Sequence, residues 1–144
     1  MTVYADSSFL VSVYLMDKHS PDAAKILERL VEPLPFTVLS RYETRNAIHL
    51  AVFRKETDRI KHQAALRQIE MDIEAGRLLP ITVDWADIYR QAEILADKHT
   101  QKLGTRSLDM LHIAIALTLG TTQFLTFDSR QGRLAKEVGL NVRP

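Results

Sequence analysis

The 144-residue chain contains no cysteine, which excludes disulfides and thiolate-held zinc and accords with a reducing, cytoplasmic setting. Glycine and proline are sparse, five of each; no low-complexity linker or internal repeat divides the chain, so one domain over residues 1–144 is expected. Neither sign of charge is in excess, with 19 Lys and Arg against 18 Asp and Glu. Any basic surface therefore has to be local. Long hydrophobic runs are missing too: the longest, Ile113 to Leu119, is interrupted by Thr118 and is far shorter than the roughly 18 residues a membrane span needs. The start, MTVYADSSFL, has no basic segment and is broken by Asp6, so no secretory leader is expected.

What remains is 46% hydrophobic, ordinary for a domain that buries roughly two-thirds of its unfolded surface. Apolar spacing alternates between short strands and longer helices. Thr2 to Ala5 is β-prone, and Asp6-Ser7-Ser8 opens a helix carrying Phe9, Leu10, Val13 and Tyr14. Ser20-Pro21-Asp22 starts a second helix that runs to about Val31 and is closed by Pro33 and Pro35. Phe36 to Val38 reads as a strand and Ser40 as the cap of the next helix. A polar helix from about Thr57 to Ala75 ends at Gly76, Leu78 to Val83 is the third strand, and Asp84 opens a long helix to about Lys102. Ser107 opens a helix apolar on almost every side. Phe124 to Thr126 is a strand, Asp128 starts a last helix to Glu137, and Leu140 to Val142 is a terminal strand. Such alternation predicts an α/β fold, a three-layer α/β/α sandwich around a short five-stranded parallel sheet with right-handed crossovers.

Ligands bind at the carboxyl edge of such sheets. Asp6, Glu43 and Asp128 each follow a strand within a few residues, and Asp109 lies in the first turn of the apolar helix. Taken singly, Asp6 and Asp128 also read as plain N-caps, Ser40-x-x-Glu43 matches a capping box, and Asp109 would oppose the helix dipole behind Ser107. Taken together they would repel one another unless they shared a cation. Carboxylate oxygens without thiolates suit Mg²⁺ or Mn²⁺, and such a site hydrolyses phosphodiesters by activating water and steadying the phosphate oxygens. Ser7 and Ser8 offer hydroxyls beside the first acid. Thr105, Arg106 and Ser107, just before the apolar helix, are candidates to hold a phosphate, Arg106 above all.

Four segments, YADSSFL, SRYETRNAI, GTRSLDMLHIAIA and FLTFDSRQGRLA, spread in that order over the whole chain, closely resemble the PIN-domain ribonucleases, in particular the VapC-type toxins of toxin–antitoxin pairs. The resemblance implies a Mg²⁺- or Mn²⁺-dependent endoribonuclease with Asp6, Glu43, Asp109 and Asp128 as its acidic quartet. It makes Asp6, Asp109 and Asp128 the direct or water-bridged metal ligands, and Glu43 a ligand or a group that orients water. Ser8 resembles the small polar residue near the first acid, and Asn46 the frequent polar neighbour of the second. One departure stands out: Ser129 and Arg130 follow Asp128 where many relatives carry a further acid. That pattern fits one tightly held ion, with a second recruited alongside substrate. A homodimer is also implied, as is a small antitoxin laying a helix in a groove, for which Phe9, Val13, Tyr14, Ile48, Val52 and Phe53 are candidates.

Two other readings stay open on the residues alone. An aspartyl-phosphate phosphatase would have a second Asp where Ser8 stands and a lysine near the third acid, and no lysine lies between Thr105 and Arg130. A receiver-type phosphoacceptor would pair two adjacent acids after the first strand, and Asp6 stands alone. His112, one turn after Asp109, is expected to be a hydrogen-bonded core histidine. Arg54-Lys55 with Arg59, Lys61 and His62 is expected to be a solvated face.

Overall fold

Short apolar strands alternate with helices along the whole chain. In the computed structural model, which describes residues 1–144, the order is β1 (Val3–Ala5), α1 (Ser7–Tyr14), α2 (Ser20–Leu27), β2 (Leu34–Phe36), α3 (Val38–Phe53), α4 (Arg59–Glu74), β3 (Leu78–Pro80), α5 (Trp85–Leu103), α6 (Ser107–Thr118), β4 (Gln123–Leu125), α7 (Ser129–Glu137) and β5 (Asn141–Arg143). The fold is mixed α/β with seven helices, and all five strands pair in parallel, hydrogen-bonded as a ladder of three (β1-β4-β5) and a ladder of two (β2-β3). The chain forms two compact units. One comprises Met1–Asp6 and Thr82–Arg143; the other comprises Ser7–Ile81, with Pro144.

The first unit is built around α6, whose residues Met110 to Ala116 are all buried. Its mate α5 starts at Asp84, which accepts from the Asp87 amide, and stops at Gly104, where φ is +66°. Glycine takes that left-handed conformation without the Cβ penalty of other residues. Pairing of Ala5 with Leu125 sets the register of β1 on β4. Behind the sheet Tyr4 stacks on Phe124 with ring centroids 5.7 Å apart, and its hydroxyl meets His112 Nδ1 at 2.6 Å. His112 is fully buried. It is the core histidine expected, since a buried imidazole needs a polar partner.

The second unit packs α1 to α4 around β2 and β3, with Phe9, Ile48 and Ile69 wholly buried. Its polar anchor is Asp72 on α4, which accepts from Tyr14 Oη (2.8 Å), Gln68 Nε2 (2.9 Å) and Arg77 Nη1. Burial first, then the bond to Asp72, raise the Tyr14 phenol far above its ordinary pKa. Two local expectations are corrected. β2 lies two residues earlier than Phe36–Val38 and runs through Pro35, which has no N–H to give; that suits a strand with a ladder on one side only. Accordingly α3 is capped by Thr37, whose hydroxyl accepts from the Ser40 amide at 3.1 Å. Ser40 is therefore inside the helix, and the Ser40–Glu43 capping box does not form.

Candidate active site

Parallel pairing decides which residues meet past the strand ends. Because Ala5 pairs with Leu125, the residues that follow them, Asp6 and Thr126, come side by side. Asp6 donates its amide to the Leu125 carbonyl (3.0 Å), and Thr126 donates its amide to the Arg143 carbonyl (2.9 Å), so both backbones are pinned by neighbouring strands. The Thr126 hydroxyl donates to Asp6 Oδ2 (2.5 Å) and accepts from the Asp128 amide (2.9 Å). One side chain thus joins two of the expected acids. Asp6 itself is wholly buried.

Asp128 divides its carboxylate between two tasks. Oδ1 caps α7, accepting from the Arg130 and Gln131 amides at 2.9 and 3.1 Å, while Oδ2 lies 3.9 Å from Arg106 Nη2. Arg106 Nε lies 3.5 Å from Asp109 Oδ2, so a single guanidinium stands against both carboxylates. The Gln131 side chain, 1% exposed, donates to the Asp109 carbonyl oxygen at 2.9 Å and ties the start of α7 to the start of α6. Asp6, Asp109 and Asp128, more than a hundred residues apart at the extremes, are therefore linked through Thr126, Arg106 and Gln131. Capping occupies one oxygen of Asp128, and Asp109, in the first turn of α6, also stands where an acid opposes the helix dipole.

Glu43 lies in the other unit, half-buried on α3, one turn before the exposed Asn46. Ser7 and Ser8 are half-buried in the first turn of α1. Thr105 and Ser107 line a hollow of about 450 Å³ between α5 and α6, together with Tyr89, Ala92 and Leu108. Only Arg106 between them reaches the acids. Thr126 and Gln131 were not picked out from the sequence. The one available signal for Thr126 was its place two residues before Asp128 at the end of a strand, and Gln131 carried none.

No group of three or more His, Asp or Glu side chains is drawn together tightly enough here to hold a metal ion. The donor chemistry nevertheless suits one. Asp109 and Asp128 already share a positive group, their side chains are 20% and 25% exposed, and every side-chain donor on these acids is a hard oxygen, the kind Mg²⁺ and Mn²⁺ prefer.

A family model described as the PIN domain matches residues 3–137. The chain belongs to the PIN-domain family. Among solved structures, this PIN domain is similar to VapC20 of Mycobacterium tuberculosis, described as a sarcin-ricin loop cleaving toxin, with a TM-score of 0.71 and 19% identity over 99% of this chain and 100% of that one. It is also similar to FitAcB from Neisseria gonorrhoeae (TM-score 0.68, 19% identity, 99% and 97% covered) and to VapBC-1 from nontypeable Haemophilus influenzae (0.64, 17%, 99% and 97%). At these identities the likeness is one of fold. A search of curated proteins gives no match. No helix of this PIN domain is long and apolar enough to cross a membrane.

Proposed function

We propose that this PIN domain is a metal-dependent endoribonuclease that hydrolyses RNA phosphodiester bonds as the toxin of a toxin–antitoxin pair, residues 1–144 acting as one nuclease domain in the cytoplasm. The observation that carries the proposal is the linked set Asp6–Thr126–Asp128–Arg106–Asp109, in which one guanidinium faces two carboxylates and one threonine hydroxyl ties the third to them. Asp6, Asp109 and Asp128, with Glu43, are the residues that would hold Mg²⁺ or Mn²⁺. When bound, such an ion supplies Lewis-acid chemistry, stabilising charge on the phosphoryl oxygens and making water a better nucleophile.

The chain's own groups then have separate roles. Thr126 and Gln131 keep the acids in place, while Arg106, its side chain 69% exposed, offers a guanidinium suited to bidentate phosphate contact. Glu43 orients the attacking water. Ser7, Ser8, Asn46, Thr105 and Ser107 are the remaining candidates for substrate contact, Thr105 and Ser107 now the weaker for lining the α5–α6 hollow. The likeness to FitAcB and VapBC-1 supports an antitoxin partner, and a homodimer is what the resemblance to VapC-type toxins implies. Of the groove residues expected for that partner, Phe9 and Ile48 are core. Phe53 is 83% exposed and Val52 39%, which leaves the far end of α3 as the stronger candidate.

The test is incubation with total RNA and Mn²⁺. Cleavage is expected, abolished by EDTA and by Asp6→Ala; Asp109→Asn is expected to remove it too while leaving the thermal melt native-like. An intact RNA profile together with tight binding of a partner protein would instead identify a binding module.

A further inference from the structure

The exposed side of α3 carries two adjacent rows at i, i+4 spacing. Val38, Tyr42 and Asn46 form one; Arg41, Arg45 and His49 form the other; the six together line an open groove of about 380 Å³. Val38 is 67% exposed and Tyr42 70%, so the ring between the cations has little of its surface covered. The second row is held in place from α4. Arg41 Nη2 and Arg45 Nη1 lie 2.6 and 3.4 Å from the same oxygen of Glu70, Oε1, and His49 Nδ1 meets His62 Nε2 at 2.8 Å. Two guanidiniums on one carboxylate leave a positive surplus. With a rise of about 1.5 Å per residue, neighbours in a row stand about 6 Å apart along the axis, a step that an extended polyanion can follow.

Two guanidiniums a turn apart beside an exposed aromatic ring suit single-stranded nucleic acid, backbone on the charges and bases on the ring. An acidic peptide would use the cations alone. We propose that this face of α3 binds single-stranded RNA, Arg41 and Arg45 taking successive phosphates and Tyr42 stacking on a base. The inference rests on the ribonuclease reading and adds to it how substrate is held: Glu43 adjoins Tyr42 in the chain, so the strand is gripped along the helix that bears one of the proposed catalytic acids.

The test is fluorescence anisotropy of a short labelled single-stranded oligoribonucleotide with the full chain in EDTA, which separates binding from cleavage; circular dichroism melts confirm that each variant is folded. Tyr42→Ala is expected to weaken binding about tenfold or more. Arg45→Ala lowers the slope of log affinity against log salt by about 0.7. Glu70→Gln releases both guanidiniums from their shared carboxylate and tightens binding several-fold, a gain that a purely structural Glu70 does not produce. Native affinity in Tyr42→Ala and Arg45→Ala overturns the proposal, as does equal competition by an acidic peptide, or a change in self-association without a change in RNA affinity. If the native chain cuts RNA with Mn²⁺ while these variants bind as it does, this surface is wrong and the ribonuclease stands; variants that lose binding in a chain that never cuts leave the surface standing alone.

Discussion

Thr126 has one hydroxyl and uses it twice, donating to Asp6 and accepting from the amide of Asp128. Thr126→Val keeps the shape and removes both bonds. A donor is thereby taken from a wholly buried carboxylate, at a cost of about 1–3 kcal/mol, and the two acids lose their common anchor. Groups that orient metal ligands typically contribute about 10–100-fold to affinity or activity. The expected outcome is a lowered melting temperature, with Mn²⁺ affinity and RNA cleavage both falling by about that factor; native Mn²⁺ affinity would show that the hydroxyl does not hold the site. At this scale the sequence is legible for acids and mute for their supports. A carboxylate advertises its chemistry wherever it stands, whereas a threonine hydroxyl or a glutamine amide acquires a role only from the neighbour that folding supplies.

Helix α4 bears Asp72, whose three donors come from α1, from α4 itself and from the loop before β3. Burial and this carboxylate raise the Tyr14 pKa above its unfolded value near 10. A group whose folded pKa is raised contributes its full stability below the unfolded pKa and loses it as pH climbs past that point. Tyr14→Phe is therefore expected to cost about 1–3 kcal/mol at neutral pH, with the gap to the native chain narrowing above pH 10. Urea denaturation between pH 8 and pH 11 measures it, and a gap that stays constant throughout contradicts the assignment.

Element boundaries read well from sequence where the signal is local. Asp84 and Asp128 cap α5 and α7 where expected because an N-cap needs only an acid and amides two or three residues on. Phe36 to Val38 failed as a strand for a non-local reason. Pro33 and Pro35 read as helix terminators, yet Pro35 lies in β2, a place allowed only by the one-sided ladder that no local pattern reveals.

Over the whole molecule the near-neutral charge of +1 conceals an uneven surface, with Arg41 and Arg45 a turn apart on α3 and Asp6 and Asp128 joined where β1 and β4 end. The nearness of Asp6 and Asp128 was inferable because parallel strands leave the sheet on the same side, so the two needed no proximity in sequence; Asp109 follows a helix, and Glu43 lies in the other unit. Their spacing was not inferable. It depends on Thr126, on Gln131 and on a guanidinium that two carboxylates share, and it stops short of a closed metal cage. The claim that matters most is that these acids take up a divalent ion. Crystals grown or soaked with Mn²⁺ and measured for anomalous scattering test it directly: the account predicts a peak bounded by Asp6, Asp109 and Asp128 that vanishes in Asp109→Asn, and a chain that cuts RNA with Mn²⁺ while showing no peak there would contradict it.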